Sequence, residues 1–478
     1  MRYLSTRGGM DPTGFADVLI DGLAPDGGLV IPEAIPVLDP DDLAALAVAT
    51  YPEVAGAVLT RFGTDGDPDG LDPGDLARVA AAAYGPDRFD HPEVVSLRPL
   101  GDGMVLCGLS HGPTLAFKDM AMQLLAGLFD SVLGARRDHM TVLGATSGDT
   151  GSSAEHAFAG SASVDVFMLS PLDRMTPFQT AQMYTIDQPN IHNLAVRGVF
   201  DQCQDLVKQI TSDQGFKVRH RIGAVNSINW GRIVAQVAYY LYASLRVAGP
   251  GGEVSFAVPT GNFGNVYAGH VARRMGAPIR RLVVACNEND VLDEFFSTGR
   301  YRMRRPGDVL ATSSPSMDIA KASNFERYVS DLSGGDAGVV ADLFTSPDGF
   351  DLSSDPAFAA VAATGMVSGT SRHPDRIATI RELHRRWGVV VDPHTADGIT
   401  VARRFLEPGI PMICLETAQP AKFSATIVEA LGQAPPVPER FAGILDLPQR
   451  YQVIDPTPDA VRAAITAATL RRAGHPGR

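Results

Sequence analysis

From about residue 96 onward, short apolar, β-branched runs alternate with stretches whose apolar positions recur at helical spacing. Eight runs read as strands: 104–109, 140–143, 164–169, 191–196, 254–258, 281–285, 389–392 and 412–415. Several are continuously apolar, as expected of strands with helices on both faces of a sheet. Between them, Phe117, Ala121, Leu124, Leu128 and Val132 fall on one helical face, with Gly134 as the expected stop. This alternation predicts an α/β fold with mostly parallel sheets.

The pattern changes at two places. Residues 1–95 carry helical patterns over 41–50 and 75–84, separated by DGDPDGLDPGD. Residues 291–380 are rich in Ser, Gly, Asp and Pro and poor in strand signals, and strand–helix alternation resumes near Trp387. The expected organisation is therefore a mainly helical N-terminal domain over 1–95, a catalytic α/β core over 96–290, an inserted lobe over 291–380, and a return to the core with C-terminal helices over 381–478. A chain of 478 residues is long enough for more than one core.

Charge and cysteine usage narrow the class. With 41 basic against 54 acidic side chains the net charge is −13, which argues against a general nucleic-acid binder. No window holds eighteen consecutive apolar residues, and the N-terminus lacks the basic and apolar regions of a secretion signal. Cys107, Cys203, Cys286 and Cys414 are far apart, and neither they nor the histidines show metal-ligand spacing. The expectation is a cytoplasmic protein with no membrane partner and no metal.

Three segments hold candidate chemistry. Two Gly-rich turns each follow a strand and open a helix: Gly144-Ala145-Thr146-Ser147-Gly148-Asp149-Thr150-Gly151 and Pro259-Thr260-Gly261-Asn262-Phe263-Gly264-Asn265. A helix N-terminus offers free N–H groups and partial positive charge to an anion. Either turn alone equally fits an ordinary capped βα connection. Neither is a Walker A loop or a G-x-G-x-x-G fingerprint. The third segment, Ser110 to Asp119, places Lys118 in the first turn of the amphipathic helix. A lysine there is either a solvated charge or a nucleophile whose amine the helix dipole helps to deprotonate. Together, a Schiff-base lysine and two anion-binding turns are what a pyridoxal phosphate enzyme acting on an amino acid requires. Thr417, after the strand MICL, adds a hydroxyl able to meet a pyridine nitrogen.

HGPTLAFKDMA, ATSGDTGSSA, PTGNFGN and ETAQPAKF, in this order, resemble threonine synthase of the pyridoxal phosphate-dependent fold-type II class. The opening RYLSTRGG, the block MYTIDQPNIHNLAVRGVFDQCQDLVK, NSINWGRIVAQ and KASNFER are similar to further segments of that family's longer members. The resemblance implies a tryptophan synthase β-like fold with two parallel-sheet domains. It also implies conversion of O-phospho-L-homoserine and water to L-threonine and phosphate. Lys118 would form the Schiff base and then move protons. Gly261, Asn262, Phe263, Gly264 and Asn265 would cradle the cofactor phosphate, and Thr417 would face the ring nitrogen. Thr146, Ser147, Gly148, Thr150 and Gly151 would grip the substrate carboxylate beside Asp149. Shorter members carry Asn at the Asp149 position, donating to the cofactor's phenolic oxygen, which a carboxylate does only when protonated.

The leaving phosphate needs cationic partners. Arg232 and Arg174 are the candidates, each alternatively a plain ion-pair residue, with Asn226, Ser227 and Ser110 as polar help. His111 beside the lysine loop reads as either a packed ring or a substrate contact. A threonine synthase-like phospholyase, releasing 2-oxobutyrate, shares these motifs, and a non-catalytic binding protein is opposed by the intact Lys118. Monomer and homodimer both remain open.

Overall fold

A computed structural model describes residues 1–64, 71–223, 227–249 and 251–473. Its contacts group the chain into two units. One comprises Met1–Val18, Leu23–Ala121 and Ser227–Val437; the other comprises Leu19–Gly22, Met122–Asn226 and Pro438–Arg478.

The first unit holds a six-stranded sheet in the order Met366–Thr370, Ile279–Cys286, Val254–Pro259, Met412–Leu415, Met104–Gly108, Ser96–Gly101. The first five strands run parallel and only the last pair is antiparallel. Helices His373–Trp387 and Pro393–Ala402 bury Ile377, Ile380, Leu383, Ala396 and Ile399 in a core with Val283, Ala257 and Met412 of the sheet. Trp230–Ala248 is buried along most of its length. The candidate lysine loop, the PTGNFGN turn and the Thr417 loop leave the C-terminal ends of three adjacent parallel strands, which is where open α/β sheets bind ligands. The second unit holds a five-stranded parallel sheet in the order Gln452–Ile454, Ile191–Val196, Val164–Pro171, Met140–Ala145, Ile222–Gly223. The Thr146 turn follows one of its central strands.

Two expectations need correction. The 389–392 run is not a strand. Val389 and Val391 pack into the core beneath the sheet, and the Asp392 side chain accepts the His394 N–H as N-cap of Pro393–Ala402. The sheet's edge strand is instead Met366–Thr370, a short segment hidden among Ser and Gly punctuation and inside the 291–380 span. Nor does Gly134 end its helix. Lys118–Arg136 runs past it and stops where Arg137 turns left-handed (φ 50°), with Asp138 N–H returning to Leu133 O.

The N-terminal segment adds helices Pro40–Val48, Tyr51–Gly63 and Pro73–Ala83, and an unexpected two-stranded sheet of Tyr3–Ser5 with Val30–Pro32. It is fastened to residues from the 291–380 span. Glu326 accepts from Thr6 Oγ1 at 2.6 Å and from Arg7 Nε and Nη2 at 3.0 and 2.7 Å. Arg327, fully buried, donates to Val30 O at 2.9 Å, Ile228 O at 2.6 Å and Asn324 Oδ1. Burial pushes its guanidinium down to about 10. Removing this group takes a donor from the buried Val30 carbonyl and another from Ile228 O, so Arg327→Met should destabilise the folded chain by about 3 kcal/mol. Arg450→Ala, which removes an exposed pair with Asp187, should change it by under about 0.5 kcal/mol. Denaturant midpoints of the two variants check the contrast.

Candidate active site

The lysine loop and the Thr417 loop are stitched together. Phe117 N–H donates to Thr417 O at 2.8 Å, Gln419 N–H to Leu115 O at 2.9 Å, and Ala116 pairs with Ala418 in an antiparallel bridge. Lys422 Nζ donates to Thr114 O at 2.7 Å from a buried position. Within the lysine loop the buried Asp119 carboxylate accepts Thr114 N–H at 2.7 Å and Thr114 Oγ1 at 2.6 Å. These bonds fix the start of the helix, and with it Lys118, whose own side chain is half-buried. His111 Nε2 meets Ser96 Oγ at 2.8 Å and its ring lies against His91, so packing accounts for it.

The PTGNFGN turn has the geometry of an anion cradle. Helix Gly264–Arg274 begins after Phe263, which is left-handed (φ 65°) and gives no side-chain cap to the first turn. A non-glycine residue in that region is strained by about 1–3 kcal/mol unless its surroundings hold it. Here the Phe263 ring is clamped by Phe325 at 5.1 Å and Tyr328 at 5.5 Å, both from the 291–380 span. A Cβ on Gly261 would crowd two backbone atoms, Ser316 O at 3.0 Å and Met317 Cα at 3.2 Å. Asn265 Oδ1 accepts from Tyr239 and Tyr240 hydroxyls at 2.6 and 2.8 Å. Asn324 Nδ2 donates to Asn262 O at 3.2 Å and Ser227 O at 3.0 Å, joining the cradle to the turn that precedes Arg232.

Arg232, in the first turn of Trp230–Ala248, is 6% exposed, and its Nε and Nη1 have no hydrogen-bond partner among the described residues. Burial pushes it down to about 10. A buried cation without a counter-charge is a marker of an anion site. Asn226 lies outside the described residues, and Arg174 is exposed on the turn after Val164–Pro171. Ser110, fully buried, donates from both N–H and Oγ to Glu416 and accepts from Gln419 Nε2 at 3.0 Å.

In the second unit, Thr146 Oγ1 accepts Gly148 and Gly151 N–H groups, each at 2.9 Å, and curls the turn that carries Ser147 and Thr150. Gly148 (φ 141°) would drive a Cβ into the Gln179 amide at 2.6 Å. Gln179 Nε2 in turn donates to Asp149 Oδ1 at 3.1 Å, so Asp149 acts there as an acceptor. Sequence reading missed Gln179, Asn324, Arg327 and Glu416. The available signal was polar residues inside otherwise apolar or glycine-rich blocks.

A family model described as pyridoxal-phosphate dependent enzyme matches residues 106–342. Models of the threonine synthase N terminus and C-terminal region match 2–84 and 395–465. The threonine synthase of Corynebacterium glutamicum is 51% identical over 479 residues, covering 98% of this chain and 98% of that protein. That of Methylobacillus glycogenes is 50% identical, covering 95% and 97%. The crystal structure of pyridoxal phosphate-bound threonine synthase from Brucella melitensis superposes with a TM-score of 0.93 at 40% identity, covering 98% of this chain and 99% of that one. Fold and site thus define a fold-type II pyridoxal phosphate-dependent enzyme. The chain belongs to the threonine synthase family. Its own residues fit the cofactor: an uncapped helix N-terminus for the phosphate, a half-buried lysine, and a buried threonine on the loop bonded to that lysine's loop.

Glu416 provides a test of the site's electrostatics. Desolvation lifts its carboxyl from 4.5 to about 7, against the Ser110 hydrogen bonds and helped by the Asp392 charge. Between those values the folded chain keeps a proton that the unfolded chain has lost. Its contribution is therefore complete below about pH 4.5 and is lost as the pH rises through about 7. Glu416→Gln, which cannot titrate, should gain stability relative to the native protein across that window, by up to about 3 kcal/mol, and stay level above it. Chemical denaturation of both proteins over a pH series checks the slope.

Proposed function

We propose that this enzyme converts O-phospho-L-homoserine and water into L-threonine and phosphate, the last step of threonine biosynthesis, by γ-elimination and β-hydration. The observation that carries this reading is Arg232. The uncapped PTGNFGN turn already provides for the cofactor phosphate. A second, buried and uncompensated guanidinium calls for a second anion, and a substrate bearing its own phosphate supplies one.

The net change breaks the Cγ–O bond and one Cβ–H bond, places the hydroxyl of water on Cβ and a proton on Cγ, restores the proton at Cα, and leaves water's remaining proton on the released phosphate. Bound pyridoxal phosphate supplies the electron sink that makes hydrogens at Cα and then Cβ acidic. Lys118 is the proton carrier: its amine takes protons from Cα and Cβ and delivers them to Cγ and Cα. Backbone N–H groups of Gly261 to Asn265 hold the cofactor phosphate. Thr417 meets the pyridine nitrogen with a hydroxyl, which leaves that nitrogen less protonated than a carboxylate would. Thr146, Ser147, Gly148, Thr150 and Gly151 bind the substrate carboxylate, with Asp149 oriented by Gln179. Arg232, helped by Ser227, Ser110 and Asn226, holds the leaving phosphate; Arg174 is a second cationic candidate.

The four-part division of the chain is offered as a functional one, in which 1–95 and 291–380 buttress the cofactor-binding part. We place the enzyme in the cytoplasm, as a monomer or homodimer without nucleic-acid partners. A net charge of −13 and the absence, among the described residues, of any helix long and apolar enough to cross a membrane support that placement.

NMR product analysis with pyridoxal phosphate and O-phosphohomoserine should give threonine and phosphate in equal amounts; 2-oxobutyrate in place of threonine would move the enzyme to the phospholyases. Lys118→Ala should abolish both turnover and the covalent cofactor band in the absorbance spectrum. Arg232→Met should lower kcat/KM for the phosphorylated substrate about ten- to hundredfold while leaving cofactor absorbance unchanged.

A further inference from the structure

Behind the strand ends lies a buried polar cluster that the reaction itself does not use. Asp392, His394 and Thr395, at the start of helix Pro393–Ala402, are all fully buried. Asp392 Oδ1 accepts His394 N–H at 3.0 Å and meets His394 Nδ1 at 2.7 Å. Asp392 Oδ2 accepts the Thr395 hydroxyl and, at 3.3 Å, Ala418 N–H. Thr395 Oγ1 accepts Thr417 N–H at 2.9 Å. On its far side His394 Nε2 takes the backbone N–H of Ser316 at 3.0 Å.

The bond directions fix the imidazole. A backbone N–H can only donate, so Nε2 is the acceptor, and Nδ1 carries the proton toward Asp392. Ser316 belongs to the Pro315–Met317 turn against which Gly261 packs closely, its position for a Cβ lying 3.0 Å from Ser316 O. The same helix presses on the strand that leads into the cradle: a Cβ on Gly398 would meet Pro259 Cγ at 3.0 Å. Thr417 and Gly261 belong to loops 156 positions apart in sequence, since 417 − 261 = 156. One three-residue cluster therefore touches the backbone under both.

We infer that Asp392 and His394 are positioning residues for the cofactor, setting through Thr395 the loop that faces the pyridine nitrogen and through Ser316 the floor of the phosphate cradle. This rests on the cofactor placement proposed above. Neither residue needs to reach the reacting atoms. Their effect is to keep the two ends of one rigid cofactor at a fixed separation, so a fault on one side is felt there first.

Paired substitutions separate the two arms. His394→Asn places an amide where Nδ1 was and can keep the Asp392 bond, but offers nothing to Ser316. His394→Gln extends an oxygen to the Nε2 position and can accept from Ser316. In the holoenzyme, His394→Asn should raise the pyridoxal phosphate dissociation constant about five- to hundredfold and shift the phosphorus NMR resonance of the bound cofactor, and His394→Gln should restore both. Thr395→Val, close in shape, should weaken binding and move the cofactor's absorbance band while leaving the phosphorus resonance in place. A folded His394→Asn variant with native affinity and resonance overturns the inference. If that variant does not fold, Thr395→Val decides, and native affinity and absorbance there overturn it equally. Native protein that binds no pyridoxal phosphate would instead remove the placement on which the inference stands.

Discussion

The antiparallel bridge between Ala116 and Ala418 is the constraint on which the cofactor-binding unit depends. Parallel strands leave their C-terminal ends about 4.8 Å apart, but the loops that continue from them are free to diverge. Lys118 comes ten residues after its strand ends at Gly108, far enough for its position to be undetermined by the sheet. The bridge, with the flanking Phe117–Thr417 and Gln419–Leu115 bonds, extends strand-like pairing beyond the sheet and ties the Lys118 loop to the Thr417 loop. Asp119 then closes the loop from below by bonding Thr114 twice. The lysine is placed by backbone hydrogen bonding, and its side chain keeps its reach.

The segments outside the sheets act on backbone atoms of the same loops. Asn324 and Arg327 bond carbonyls of Asn262, Ser227, Ile228 and Val30. Phe325 and Tyr328, from the same short helix, clamp the strained Phe263. A left-handed phenylalanine is stable only where its ring is held, so the aromatic cluster of the 291–380 span is part of what shapes the PTGNFGN turn. Thr6 and Arg7 anchor this span through Glu326. The N-terminal segment thereby supports that turn at one remove.

What could be read from the sequence was local. Glycine-rich turns after apolar runs, and a lysine opening an amphipathic helix, are set by neighbours within ten residues. The matched strands were legible because full burial on both faces leaves an apolar run. The same signal misled at 389–392, since an apolar connection under a sheet has the burial of a strand without its ladder. Gly134 misled because a left-handed stop follows from the end of packing, and Arg137 accepts that conformation. The polar anchors were out of reach for a different reason. Thr6 and Glu326 stand 320 positions apart, and Ser110 and Glu416 stand 306 apart. Nothing in the local pattern of either partner records the other.

The distribution of buried charge explains why these anchors recur. In the cofactor-binding unit, Asp119 is satisfied by Thr114, Asp392 by His394, Thr395 and Ala418, and Arg376 by Glu288 and Asp397. Arg327 is spread over carbonyls, and Glu416 is pushed toward its neutral form. Arg232 is the exception, with two guanidinium nitrogens unpartnered among the described residues. The other groups are each held by hydrogen bonds or an ion pair, whereas Arg232 keeps two guanidinium donors that an anion could satisfy. The cost is a ligand-free state that carries a buried guanidinium with unpartnered donors, a cost that a phosphate bound there as proposed would offset. On the phosphate role proposed for Arg232, affinity for the substrate and instability of the empty site share one origin, a buried guanidinium with two donors unpartnered among the described residues.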